Sequence, residues 1–99
     1  MKKYIYLFVL LFFVAGSVFA QTMKVSGTVT TVNGNSLPGV SILIKGTTRG
    51  TTTDLHGKYS IEVKKGAVLQ FSYIGFDTQQ ISVDNSTVIN VVMKSGVSL

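Results

Sequence analysis

The sequence contains no cysteine, no tryptophan and a single proline. Without cysteine the chain can form no disulfide, although many small exported domains use disulfides to supplement a small hydrophobic core. Lipid attachment at a cysteine behind a leader segment is excluded for the same reason. A folded domain of this chain must therefore be held together by side-chain packing and strand pairing.

Residues suited to catalysis or metal binding are equally scarce. His56 is the only histidine, and it lies in the polar segment Asp54-Leu55-His56-Gly57, whose composition is typical of a turn. The four carboxylates are at least seven positions apart, a spacing that gives no metal-ligand cluster. We expect Glu62 and Asp77 to face solvent rather than to pair across a cleft. The sequence therefore predicts a protein that is not an enzyme and that has no metal and no cofactor.

The amino terminus has the organisation of a secretory signal. Two lysines precede the apolar run at 4–14, and small residues follow, with Val18 and Ala20 at the positions that signal peptidases require. This pattern predicts a signal peptide at 1–20 and a mature domain at 21–99. The alternative is an uncleaved signal anchor. It is disfavoured because a membrane-spanning helix needs roughly 20 apolar residues and this run is interrupted at Gly16-Ser17.

The charge of the mature chain is modest. Removing Lys2 and Lys3 from the nine basic residues leaves seven against four acidic ones, a net charge of +3. The basic residues stand singly along the chain, apart from one pair: Lys24, Lys45, Arg49, Lys58, Lys64, Lys65 and Lys94. A nucleic-acid-binding domain clusters such residues with stacking aromatic side chains. We therefore interpret them as solvated strand and turn positions and expect no nucleic-acid partner.

Apolar residues recur at every second position after residue 23, which is the period of strands with one buried face. No stretch of ten or more residues has the period of an amphipathic helix. The predicted strands, with turn residues between them, are 24–31, 40–45, 51–53, 58–63, 68–74, 76–83 and 87–94. About 79 residues suffice for one modest core. The fold class predicted is an all-β antiparallel sandwich.

The segment Tyr73-Ile74-Gly75-Phe76 is the most informative apolar cluster after the predicted signal peptide. It has two interpretations. Its side chains belong to the core, with a β-bulge at Gly75, or they form an exposed aromatic edge that contacts a partner protein. The core interpretation is the one we prefer from the sequence.

An ordered series of short motifs resembles the carboxypeptidase regulatory-like domain. More narrowly, it is similar to the copy at the amino terminus of SusC/RagA-type TonB-dependent outer-membrane receptors. The motifs are 25–29 (VSGTV), 37–42 (LPGVSI), 45–47 (KGT), 50–54 (GTTTD), 57–60 (GKYS) and 69–76 (LQFSYIGF). The resemblance covers about residues 24–94. Ser36 and His56 depart from the family pattern, but both lie in predicted turns.

The resemblance implies a seven-stranded transthyretin-like (prealbumin-like) sandwich without catalytic activity. It also implies a periplasmic, outer-membrane-associated location and a position ahead of the plug and barrel of a nutrient or glycan receptor. The structural motif residues would be Gly27, Pro38, Gly39, Gly46, Gly50, Asp54, Gly57, Tyr59 and Gly75. The expected partners are the plug and barrel of that receptor or another periplasmic protein. The chain is expected to be an amino-terminal fragment of such a receptor. The alternative is a free-standing secreted or periplasmic binding domain.

Overall fold

The structure is a computed structural model that describes residues 22–96. The predicted signal peptide at 1–20 lies outside the described residues. The described part contains seven strands and no helix, as the alternating pattern predicts. The strands are β1 (Thr22–Thr31), β2 (Ser41–Ile44), β3 (Gly50–Thr52), β4 (Lys58–Lys64), β5 (Val68–Ser72), β6 (Gln79–Ser82) and β7 (Val91–Met93).

The strands form two sheets that pack face to face. One sheet has three strands in the order β4-β1-β7, and the other has four in the order β3-β2-β5-β6. All pairs are antiparallel except β1 with β7, which run parallel with Val29 opposite Val91. The predicted antiparallel sandwich is confirmed, and the β1–β7 pair is its one parallel exception among the described strands. The chain crosses from one sheet to the other between β6 and β7, and β7 then runs beside β1 in the same direction. The sequence pattern could not predict this, because the alternation of side chains carries no information about strand direction.

Thirteen buried apolar side chains fill the space between the sheets. They come from all the strands except β3 and β6 and from the segments beside them: Val25, Val29, Val40, Ile42, Ile44, Tyr59, Ile61, Val63, Leu69, Phe71, Val83, Val91 and Met93. Strand β4 shows the cause most clearly, because buried and exposed residues alternate along its whole length. A residue every second position faces the core because successive side chains of a strand point to opposite faces.

Strand β5 ends earlier than the sequence predicts. It stops at Ser72, where a turn begins, and the Phe76 N–H donates to the Tyr73 carbonyl oxygen at 3.1 Å. Gly75 has a φ of +86° within this turn, so it is not a bulge in a continuous strand. Ile74 is 95% exposed and Tyr73 38%, whereas Phe76 packs partly against the core. The prediction that this segment is a core strand with a bulge is therefore wrong.

Candidate functional site at the loop end

Three loops meet at one end of the sandwich, which we call the loop end. They are residues 32–40 after β1, 53–57 between β3 and β4, and 73–78 after β5. Strand register places them together, because Ser41 at the start of β2 lies opposite both Thr52 at the end of β3 and Ser72 at the end of β5. The other sheet ends at the same side, where Thr31 lies opposite Met93. The loop end therefore collects the segments that carry most of the family-like motifs.

The loop end carries exposed apolar side chains. Four of the six large hydrophobic residues that are exposed in the described part of the chain lie here: Val32, Leu55, Tyr73 and Ile74. Leu55 is 86% exposed at the tip of its turn. Tyr73 and Ile74 line a shallow groove of about 420 Å³ together with Gly39 and two serines. Tyr73 also contacts Phe76, with ring centroids 5.9 Å apart. Apolar side chains concentrated on one surface are typical of a site that binds another protein.

The turn at Pro38-Gly39 is held in place by Thr53. The Thr53 hydroxyl donates to the Leu37 carbonyl oxygen at 2.7 Å and accepts the Val40 N–H at 2.9 Å. Its backbone adds two further bonds, one accepted from the Gly39 N–H and one donated to the Val40 carbonyl, both at 3.1 Å. Thr53 is the only buried polar residue among residues 22–96, and 5% of its surface is exposed. These four bonds fix the floor of the groove beneath Tyr73.

The turn that presents Leu55 is built around the Asp54 carboxylate. Its Oδ1 accepts the backbone N–H of His56 at 2.8 Å and that of Lys58 at 3.0 Å. These two bonds, the one from Lys58 first, lower the pKa of Asp54, and the neighbouring His56 and Lys58 add smaller electrostatic effects. A carboxylate that caps two N–H groups in this way stabilises a tight turn. The turn leaves the Leu55 side chain in solvent.

Gly57 closes the same turn and allows it to approach β1. Its φ is +74°, a backbone conformation that disfavours residues with a side chain, and its carbonyl accepts the Val29 N–H at 2.8 Å. A Cβ atom at this position would stand 2.7 Å from the Val29 carbonyl oxygen. The close packing of the turn on β1 therefore requires glycine here.

Tyr59 connects the core to the segment that leads into β7. Its ring meets Phe71 edge to face, with centroids 5.4 Å apart, and its hydroxyl donates to the Ile89 carbonyl oxygen at 2.7 Å. Burial raises the pKa of this hydroxyl to about 12. Gly27 lies beside the same carbonyl, and a Cβ atom on Gly27 would overlap the Ile89 oxygen. Gly27 and Tyr59 thus allow the backbone around Ile89 to lie directly on β1.

The remaining predicted motif residues lie in separate places. Gly46 belongs to the turn after β2, at the opposite end of the sandwich, and Gly50 is the first residue of β3. The fold therefore brings Pro38, Gly39, Asp54, Gly57 and Gly75 to the loop end, whereas Gly27, Gly46, Gly50 and Tyr59 lie elsewhere. Their role as a structural motif stays a prediction. Thr53 was not predicted as a motif residue, although strand alternation over 51–53 puts it on the inward face with Thr51.

His56 and Asp54 lie in the same exposed turn at the loop end. The backbone of His56 bonds to the Asp54 carboxylate, and that carboxylate is already occupied by backbone donors. Among residues 22–96, no three side chains of the histidine, cysteine, aspartate and glutamate types approach closely enough to hold a metal ion. The same residues contain no helix long and apolar enough to cross a membrane.

Known proteins match nearly the whole chain. The family model of the CarboxypepD_reg-like domain matches residues 25–98. TonB-dependent receptor P3 of Formosa agariphila is 48% identical over 96 residues, which are 95% of this chain but 9% of the receptor. TonB-dependent receptor SusC of Bacteroides thetaiotaomicron is 36% identical over 100 residues, again 95% of this chain and 10% of the receptor. The chain thus spans about a tenth of the length of these relatives.

Among solved structures, a type II cohesin–X-dockerin complex from Acetivibrio cellulolyticus contains a chain with a similar fold. The TM-score is 0.57 with 23% sequence identity, over 75% of this chain and 58% of the other. At that identity the similarity concerns the fold alone. It agrees with a β-sandwich architecture.

Proposed function

The chain belongs to the CarboxypepD_reg-like domain family, and from this membership we propose that it is the amino-terminal accessory domain of a TonB-dependent outer-membrane receptor. In this role it is exported to the periplasm, performs no catalysis and acts by contacting the plug and barrel of the receptor. The loop end is the contact surface. The observation that carries the proposal is the concentration of exposed apolar side chains at the loop end, where Gly96, the last described residue, also lies.

The relatives support the receptor part of the proposal. Each named relative is a TonB-dependent receptor about ten times longer than the matched region. A domain of this kind therefore occurs beside a much larger polypeptide. Its location in the periplasm follows from the predicted signal peptide at 1–20 and from the outer-membrane residence that the resemblance implies.

The path of the chain supports the choice of surface. After β7 the backbone returns to the 73–78 loop, where the Asp77 N–H donates to the Lys94 carbonyl at 2.9 Å and the Gly96 N–H donates to the Gly75 carbonyl at 3.0 Å. A polypeptide continuing from this point starts next to Tyr73 and Ile74. The apolar side chains of the loop end are then the first surface that a following domain meets.

The exposed apolar side chains of the loop end support a role in contacting another protein. Leu55 and Ile74 are both almost fully exposed, and each loses water-exposed apolar area when a partner covers it. Two such side chains projecting from well-fixed turns resemble the anchor residues of protein interfaces. The Asp54 bonds hold the turn that carries Leu55, and the bond from the Phe76 N–H to the Tyr73 carbonyl holds the turn that carries Ile74, so less backbone has to be ordered on binding.

Site-specific cross-linking tests the proposal. The chain has no cysteine, so Leu55→Cys or Ile74→Cys introduces a unique attachment point for a photoreactive group. The matched control is Val88→Cys, because Val88 is an exposed apolar residue away from the loop end. The labelled domain is mixed with a detergent-solubilised receptor. This receptor is encoded at the same locus and has had its own copy of the domain removed.

We expect adducts with the receptor from positions 55 and 74 and few from position 88. Adducts of equal yield from all three positions would contradict the loop end as the contact surface. A stop codon directly after codon 99, together with no adduct to any receptor, would contradict the receptor role and favour the free-standing binding domain.

A further inference from the structure

The fold assembles four basic side chains around one pocket at the end of the sandwich opposite the loop end. Lys45, Arg49, Lys64 and Lys65 line this pocket, which has a volume of about 400 Å³. They account for four of the seven basic residues that follow the predicted signal peptide. All four are exposed at strand ends or in turns, as the sequence predicts, but the fold places them around the same pocket. We call this site the basic pocket.

A turn within the four-stranded sheet and a turn that connects the two sheets create the basic pocket. Lys45 and Arg49 flank the turn between β2 and β3, where the Ile44 N–H donates to the Arg49 carbonyl at 3.0 Å. Lys64 and Lys65 lie at the turn between β4 and β5. The Lys45 N–H donates to the Val68 carbonyl at 2.9 Å, which ties the first turn to the strand that follows the second. The positions of the four cations are thus set by backbone pairing.

The lining of the basic pocket contains no carboxylate. Its other members are apolar or neutral: Ile44, Thr47, Val63, Gly66 and Ala67. Arg49 donates through Nη2 to the Glu62 backbone carbonyl at 3.4 Å, and the Lys45 Nζ donates to the Gln80 side-chain oxygen at 3.2 Å. Both of these partners are uncharged. Asp84 lines a neighbouring pocket together with Lys65, and Glu62 is exposed on the same face of β4 as Lys64.

Positive charges gathered around a concave surface produce a local potential that attracts anions. The planar guanidinium of Arg49 suits the paired oxygens of a phosphate or sulfate, and the lysine ammonium groups act as flexible point charges around it. Four basic residues lining one pocket match a group with more than one negative charge better than a single carboxylate.

We propose that the basic pocket binds a multivalent oxyanion of the phosphate or sulfate type. The group is carried either by a soluble compound or by the headgroup of an anionic lipid, and both sources present the same chemistry to Arg49 and the lysines. This binding is independent of the contacts made at the loop end.

The first arm of the test is a titration of the purified protein with sodium pyrophosphate, followed by amide chemical shifts in NMR. Sodium chloride at equal ionic strength is the reference, because exposed charges are screened over about 8 Å at physiological salt. We expect saturable shifts at Lys45, Gly66 and Ala67. No saturable shift with pyrophosphate, together with no binding to anionic vesicles, overturns the proposal.

Charge-matched variants distinguish the site from general attraction. The double variant Arg49→Gln/Lys64→Gln removes two cations from the basic pocket, and Lys58→Gln/Lys94→Gln removes two cations near the loop end. Because one exposed ion pair contributes about 1.4- to fivefold in affinity, the loss of two cations should weaken binding by about two- to 25-fold. The control variant should change it by less than about twofold. Equal weakening by both variants overturns the proposal. All the substitutions are at the surface, and unchanged melting temperatures confirm that each variant is folded.

The second arm identifies the source. Co-sedimentation is measured with vesicles of phosphatidylcholine alone and with vesicles containing phosphatidylglycerol. Binding to the anionic vesicles that is lost in the pocket variant and kept in the control assigns a lipid headgroup. Pyrophosphate binding without vesicle binding assigns a soluble ligand. Both results support the oxyanion site, and vesicle binding that the two variants lose equally contradicts it.

Discussion

Replacing Thr53 with valine tests whether one buried hydroxyl holds the loop end together. Valine has nearly the same shape and keeps the branched Cβ, so the change removes the hydroxyl with little effect on packing. Two hydrogen bonds are lost, to the Leu37 carbonyl at 2.7 Å and from the Val40 N–H at 2.9 Å. Val40 is fully buried, so its N–H is left without a partner away from water.

The expected cost follows from these two bonds. A hydrogen bond contributes a net of about 1 kcal/mol, and a buried group left unpaired costs about 1–3 kcal/mol. We therefore expect Thr53→Val to lower the free energy of unfolding by about 2–4 kcal/mol. In a domain of this size each kcal/mol shifts the melting temperature by about 4–8 °C, so the decrease should be about 8–32 °C.

Chemical denaturation followed by circular dichroism measures this change. Thr53→Ser keeps the hydroxyl and loses one methyl group, so it should cost only about 1 kcal/mol. Thr52→Val makes the same substitution at the exposed neighbouring residue and should stay within about 0.5 kcal/mol of the original protein. A Thr53→Val protein as stable as the Thr52→Val protein would refute the role assigned to the Thr53 hydroxyl.

Three further predictions concern other contacts of the fold. Tyr59→Phe removes the bond to the Ile89 carbonyl and should cost about 1 kcal/mol at neutral pH. The pKa of Tyr59 is raised from 10.0 to about 12, so the original protein should lose stability as pH rises from 10 towards 12. Tyr59→Phe should lose less in that range, and parallel pH profiles of unfolding free energy would contradict this. Gly27→Ala places a Cβ atom on the Ile89 carbonyl and should lower the free energy of unfolding by about 1–3 kcal/mol or more. Urea denaturation measures this change, and an unchanged midpoint would contradict the close approach of the two backbones. The pKa of Asp54 is lowered below 3.8, so its carboxylate stabilises the fold above that pH and the stabilisation is lost as pH falls through the lowered pKa. Asp54→Asn should flatten this acid dependence, and an identical acid profile in both proteins would exclude Asp54 as its source.

The sequence predicted the loop end incompletely. Asp54 and Gly57 were expected to shape a turn, and the structure shows the hydrogen bonds that do so. The exposure of Tyr73 and Ile74 was not the preferred interpretation, because the apolar segment 73–76 continues the alternating pattern of β5. Whether such a segment continues a strand depends on a partner strand beside it. Strand β2 pairs with β5 only as far as Ser72, so the chain turns beyond that point.

Alternation of apolar and polar residues was enough to establish an all-β chain with its core positions, because side chains of a strand alternate between two faces whatever the strand pairs with. The same alternation is sufficient to place Val25, Ile61 and Phe71 in the core, where the structure finds them buried. Tertiary structure alone decided the parallel pairing of β1 with β7, the enclosure of the Thr53 hydroxyl and the assembly of the basic pocket. Each of these depends on which distant segments become neighbours. Lys45 and Lys65 are 20 positions apart in the sequence, and only the pairing of backbone segments brings them to the same pocket.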